Sequence, residues 1–162
     1  MKPIKPIALF IFLLLSISLK SFSQDLNSET KQTGLKKNAI YLSLGYAPLW
    51  AATNINYERM VYENRNWFFN SYYAKIGGGY FATWGFSGPN INSGLTVLGG
   101  KKNNHIEING GIAIIIDDWD GDVEVYPGGA VGYRFQKPEG KFILRTGIGY
   151  PESFYLSFGL GF

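Results

Sequence analysis

His105-Ile106-Glu107-Ile108-Asn109-Gly110-Gly111-Ile112-Ala113-Ile114-Ile115-Ile116 decides the fold. Ile106, Ile108, Ile112, Ile114 and Ile116 share one parity with Gly110, while His105, Glu107, Asn109, Gly111 and Ala113 share the other. Successive side chains of a β-strand point to opposite faces, so this alternation predicts a strand with one aliphatic face and one small or polar face. The composition agrees. Aromatic residues make up 17% of the chain and there are 21 glycines. Aromatics suit a pleated surface, whereas so many glycines would weaken helices.

Working outward, the same period recurs from Asn38 to the C-terminus. Ile40, Leu42, Leu44 and Tyr46 alternate with Tyr41, Ser43, Gly45 and Ala47. Ile55, Tyr57 and Val61 alternate with Asn54, Asn56, Glu58 and Met60, and Arg59 falls on the apolar side near the strand end, where it can snorkel. Ile91, Ser93, Leu95 and Val97 alternate with Asn92, Gly94, Thr96 and Leu98. Val131, Tyr133 and Phe135 oppose Ala130, Gly132, Arg134 and Gln136. Phe142, Leu144, Thr146, Ile148 and Tyr150 oppose Ile143, Arg145, Gly147 and Gly149. Phe154, Leu156, Phe158, Leu160 and Phe162 oppose Tyr155, Ser157, Gly159 and Gly161. Between Trp67 and Phe81 the facing stays open: Lys75 pointing inward takes Phe69, Ser71, Tyr73 and Gly77 with it, unless a bulge intervenes.

Each run is near the roughly 9 to 11 residues that a tilted transmembrane strand needs. Tight polar turns are expected at 63–66, 101–104 and 137–140, and longer loops at 48–53, 82–90 and 117–124, with a short last join at 151–153. The expectation is an all-β, eight-stranded, antiparallel up-and-down transmembrane barrel over residues 38–162. Lipid allows no unpaired backbone, so the sheet must close.

The preceding residues divide in two. Lys2 and Lys5, the apolar run Ile7–Leu19 and the small residues Ser21 and Ser23 predict a cleaved signal peptide over 1–23. Residues 24–37 are polar and aperiodic, and are expected to be a flexible leader. Cleavage removes Lys2, Lys5 and Lys20, so the 15 basic residues fall to parity with the 12 acidic ones and the charge gives no argument for nucleic acid. There is no cysteine, which excludes disulfides, thiolate metal ligands and a lipid-bearing cysteine.

The face opposite the aliphatic one argues for lipid. It carries Gly, Ser, Ala, Asn and Thr together with Glu58, Glu107, Arg134 and Arg145, which are expected to form a charge network that plugs a narrow lumen. Trp50, Trp84, Trp119, Tyr46, Tyr126 and Tyr150 are expected as an aromatic belt at one end, and Trp67, Phe135, Phe142 and Phe162 at the other.

The last strand, Phe154-Tyr155-Leu156-Ser157-Phe158-Gly159-Leu160-Gly161-Phe162, resembles that of bacterial outer-membrane proteins, which ends on an aromatic residue. With it, the stretch from Asn38 to Phe162 resembles a small bacterial outer-membrane β-barrel protein. That resemblance implies the outer membrane of a Gram-negative bacterium. Its partners would be the bilayer, lipopolysaccharide and the outer-membrane assembly machinery, which reads Phe158, Leu160 and Phe162. The family is functionally diverse, so no activity follows from it.

Chemistry-bearing groups are few. His105 and Glu107 share the inner face and are the candidate catalytic pair of a lipid-modifying barrel, with Ser43 and Ser157 as inward hydroxyls. The favoured reading is a hydrogen-bonded lumen or rim pair. Asp118, Asp120 and Asp122 around Gly121 are candidate metal ligands, but the run lacks the later Glu of a calcium loop and reads better as a solvated acidic loop. Gly77–Gly79 and Gly99–Gly100 lack the Lys-Ser/Thr of a phosphate loop. The expected function is non-enzymatic, structural or interactive, in a monomer without cofactor. The alternatives are an outer-membrane enzyme acting on lipid and a soluble secreted, lipocalin-like binding barrel.

Overall fold

A computed structural model describes residues 34–64, 66–151 and 153–162. The expected signal peptide and most of the leader lie outside the described residues. Eight strands follow in order: β1 (Asn38–Ala47), β2 (Trp50–Glu63), β3 (Phe69–Thr83), β4 (Ser87–Lys101), β5 (Asn104–Ile116), β6 (Val123–Gln136), β7 (Phe142–Tyr150) and β8 (Ser153–Gly161). Each pairs antiparallel with its sequence neighbour, and β8 closes on β1 to make a barrel. The seam runs from Ala39↔Gly161 to Gly45↔Tyr155. Below it, the Asn38 and Phe162 backbones exchange hydrogen bonds of 3.0 and 2.9 Å.

Alternation fixes the facing of every strand. Ile40, Leu42 and Leu44 are exposed on the outer wall, while Tyr41 and Ser43 between them are buried inside. The wall continues through Ile55, Ile91, Leu95, Ile106, Ile108, Ile112, Ile148 and Phe158, all exposed. Arg59 is also outward, as its parity requires. The open facing of β3 resolves with a bulge. Lys75, Tyr73 and Ser71 face the lumen, and a register shift between Phe69 and Ser71 buries Asn70 as well, leaving Phe69 half-exposed. A second shift, between Met60 and Tyr62, turns Tyr62 outward.

Glycine at inward positions makes room for the tyrosines of nearby strands. A methyl group on Gly132 would run into the Tyr155 hydroxyl, and one on Gly159 into Cβ of Tyr41.

The connections differ from the expected asymmetry. The end bearing the β1–β2 turn has joins at 48–49, 84–86, 117–122 and 151–152; the end bearing both barrel termini has 64–68, 102–103 and 137–141. Residues expected in long loops continue the ladder instead, with Ala51↔Ala82 and Ser87↔Ala82 paired. Ala52 and Gly88 keep the inward parity there, so pairing continues to the turn. As a result β2 to β6 are 13 to 15 residues long, whereas β7 and β8 have 9 each. The first end is called upper below, and the termini end lower.

Candidate functional site

The lumen holds the chemistry. Glu58 on β2, Glu107 on β5, Arg134 on β6 and Arg145 on β7 all have inward parity, and all four are at most 3% exposed. Arg134 Nη1 lies 2.7 Å from Glu58 Oε2 and 3.8 Å from Glu107 Oε2. Arg145 donates to Glu107 through Nε, at 2.8 Å to Oε2, and through Nη2, and its Nη2 lies 3.8 Å from Glu58 Oε1. Each guanidinium therefore faces both carboxylates, and two positive charges offset two negative ones.

Neutral donors and rings surround the network. Tyr41 Oη donates to Glu58 Oε1 at 2.8 Å, and Thr96 Oγ1 lies at the same distance. Asn109 Nδ2 at 2.7 Å and Tyr155 Oη at 3.2 Å donate to Glu107 Oε1. Arg134 Nε donates to Gln136 Oε1 at 3.0 Å. The Arg145 guanidinium stands 4.0 Å from the Tyr41 ring centre, and that of Arg134 5.1 Å from Tyr73. Charges in a low-dielectric interior are tolerable only when paired and hydrogen-bonded, and these partners supply much of that, although Arg134 Nη2 is buried with no hydrogen-bond partner among the described residues.

Below the network an apolar plug sits in the lower mouth. Leu35 is buried against Tyr73 and Leu98, with Met60 alongside. Residues 34–37, expected as the end of a free leader, are tied to the barrel. The Glu139 and Met60 amides donate to the Gly34 and Lys37 carbonyls, both at 2.7 Å. Tyr73 Oη donates to the Lys36 carbonyl at 3.2 Å, and Lys36 Nζ pairs with Glu139 at 3.2 Å.

Above the network the interior loosens. A cavity of about 70 Å³ is lined by Asn54, Asn56, Asn90, Asn92, Lys75 and Arg145 among others. Over it lies an apolar lid of Ala52, Phe81 and Ile115, with Trp50, Phe86 and Tyr126 packed on it. Trp50 and Tyr126 thus correct the expected upper belt: their even parity on β2 and β6 turns them to the lid rather than outward. Trp84, Trp119, Tyr46 and Tyr150 are exposed at that end, and Trp67, Phe142 and Phe162 at the other, with Phe135 half-buried.

His105 and Glu107 share the inner face, as their parity requires. The Glu107 oxygens are taken by Arg145, Asn109 and Tyr155. His105 is buried near the lower rim, in register with Arg134. The two inward hydroxyls meet each other, with Ser43 Oγ 2.8 Å from Ser157 Oγ, and Asn56 Nδ2 donates to Ser43 Oγ at 3.2 Å. In the acidic loop, Asp117 and Asp120 accept the Trp119 and Asp122 amides, and Asp118 accepts the Tyr80 hydroxyl. Among the described residues no three acidic or histidine side chains are grouped to hold a metal. Phe158, Leu160 and Phe162 line up on the outer wall, all exposed.

The charge quartet was visible in the sequence, but its partners Tyr41, Thr96, Asn109, Tyr155 and Gln136 were not assigned to it. Their inward parity was the available signal. Three outer tyrosines were also missed: Tyr57 and Tyr133 donate to Asn38 and Asn104 at the lower rim, at 2.7 and 2.6 Å, and Tyr80 to Asp118 at the upper. No protein-family model matches the chain, and no curated protein matches it.

Proposed function

We propose that the chain is a non-enzymatic outer-membrane barrel of a Gram-negative bacterium, exported by a cleaved signal peptide and monomeric, with a structural or interaction role. The observation that carries this reading is the inverted distribution of polarity. Ile55, Ile91, Leu95 and Ile148 are 57 to 68% exposed on the wall, whereas the four charges of the quartet are sealed within. A soluble monomer rarely exposes a continuous apolar surface of more than a few hundred Å². Hydrocarbon accepts such a surface at no cost. The outer tyrosines support the same reading, because their hydroxyls bond to polar residues at the two rims, where headgroups would lie. The quartet, with the Leu35 plug below it, makes the lumen non-conducting. Phe158, Leu160 and Phe162 form the signal for the assembly machinery, and the loop acids face lipopolysaccharide.

Cell fractionation combined with electrophoresis before and after boiling tests this. The expected result is recovery with the outer membrane, release only by detergent, and faster migration of the unboiled species. Recovery in the soluble fraction without detergent would reject it in favour of a secreted binding barrel. Altered lipid composition that is abolished by His105→Ala would favour an enzyme instead.

A further inference from the structure

The barrel wall has a step at its upper end. β6 begins at Val123, but the β6–β7 ladder runs only from Gly129↔Tyr150 to Gln136↔Ile143. Val123–Gly128 are held by β5 alone, from Ile116↔Val123 to Gly111↔Gly128. Backbone groups of successive strand residues point alternately to the two sides. The Gln136 amide donates to the Asn103 carbonyl, on the β5 side, and the β5–β6 register is unbroken from there to Val123. The N–H and C=O groups of Val123 and Val125, and the carbonyl of Pro127, therefore point to the side where β7 has ended. Pro127 fits this direction, because it has no N–H to give to β5. Among the described residues no strand stands beside that edge.

An unpaired edge is a template for a further strand. Its surroundings narrow what that strand can be. On the outer face Val123 and Val125, both 61% exposed, stand beside Ile116 and Ile114 of β5. On the other face Glu124 is exposed, and Asp118, Asp120 and Asp122 are exposed in the adjoining turn. No Lys or Arg occurs between Lys102 and Arg134 to offset them. Like charges facing each other destabilise a strand pair and opposite charges stabilise it. A second copy pairing edge to edge would bring two acidic clusters together, whereas a basic strand neutralises one.

We propose that the free edge of β6 at Val123–Gly128 binds an extended segment of another protein, added as a strand in which apolar and basic residues alternate. Val123 and Val125 exchange backbone hydrogen bonds with the segment, and the Pro127 carbonyl accepts one more. The apolar side chains of the segment cover Val123 and Val125, and its basic ones meet Glu124 and the turn acids. These exposed acids keep the edge in water, so the site does not depend on what surrounds the wall below.

Fluorescence anisotropy of a labelled synthetic peptide of alternating valine and lysine, titrated with the folded mature chain in nonionic detergent micelles, tests the proposal. Saturable binding is expected. The same peptide N-methylated along its backbone keeps the charge but cannot donate to the edge, and should bind about tenfold more weakly or worse. Val125→Pro removes an edge donor without touching the β5 ladder, and should weaken binding about fivefold or more, equivalent to one lost hydrogen bond. Glu124→Lys should weaken the lysine peptide and strengthen one of alternating valine and glutamate. Lys36→Ala at the lower mouth should change nothing. Heat-modifiable migration checks that each variant is folded. No saturable binding by the folded wild type, or equal binding of the N-methylated peptide, would overturn the proposal. Dimerisation of the wild type in sedimentation, abolished by Val125→Pro, would assign the edge to a second copy and overturn it as well.

Discussion

The lower and upper halves of the lumen are built on the same period-two code, yet one is filled and the other is not. In the lower half the inward positions carry long side chains, Glu58, Glu107, Arg134 and Arg145, which meet in the lumen and pair with one another. In the upper half, beneath the apolar lid, a cavity remains whose lining includes the short residues Gly111, Ala113, Gly128, Asn54, Asn56, Asn90 and Asn92. Side-chain length at inward positions contributes to how completely a narrow barrel packs. The lower half is accordingly the place where a substitution costs most.

The largest effect is expected from breaking the quartet. Glu58→Ala leaves Arg134 and Arg145 facing a single carboxylate in a sealed interior, and should destabilise the barrel by about 3–5 kcal/mol. Replacing Glu58 and Arg134 together by Met should cost much less, because no buried charge is then unpaired. Urea unfolding of both variants in micelles measures the difference. Equal costs would mean that the quartet is not electrostatically coupled.

The outer wall comes next. Leu42→Arg on β1 places a cation on the aliphatic face, and should cost about 2–4 kcal/mol in a bilayer, falling towards zero for a position near an interface such as Phe162→Arg. Folding yield into lipid vesicles reads this gradient, and an absence of depth dependence would contradict it. At the lower mouth, Leu35→Ala removes a buried side chain and should cost about 2 kcal/mol. Lys36→Ala should cost less than about 0.5 kcal/mol, since Glu139 is largely exposed.

The sequence carried the strand number, their antiparallel order and the facing of seven strands, because each depends on local alternation alone. Glu58, Glu107, Arg134 and Arg145 were legible as a group for the same reason. Three things were not. The register shifts at Met60/Tyr62 and Phe69/Ser71 flip parity without any sequence mark, which is why β3 stayed ambiguous. Where strands end was misjudged, because Pro48 and Trp84 suggested loops while Ala52 and Gly88 kept the pairing going. Contacts across the lumen, such as Tyr41 to Glu58 or Leu35 to Leu98, depend on the stagger between strands. Stagger is a property of the closed sheet as a whole.

A single labelled position tests the environment of the wall most directly. The chain has no cysteine, so a nitroxide can be attached at Ile148→Cys alone, where the native side chain is 68% exposed. In reconstituted vesicles the account predicts collisional relaxation by oxygen, which partitions into hydrocarbon, and little by a water-soluble nickel chelate. Strong relaxation by the chelate and weak relaxation by oxygen would contradict it.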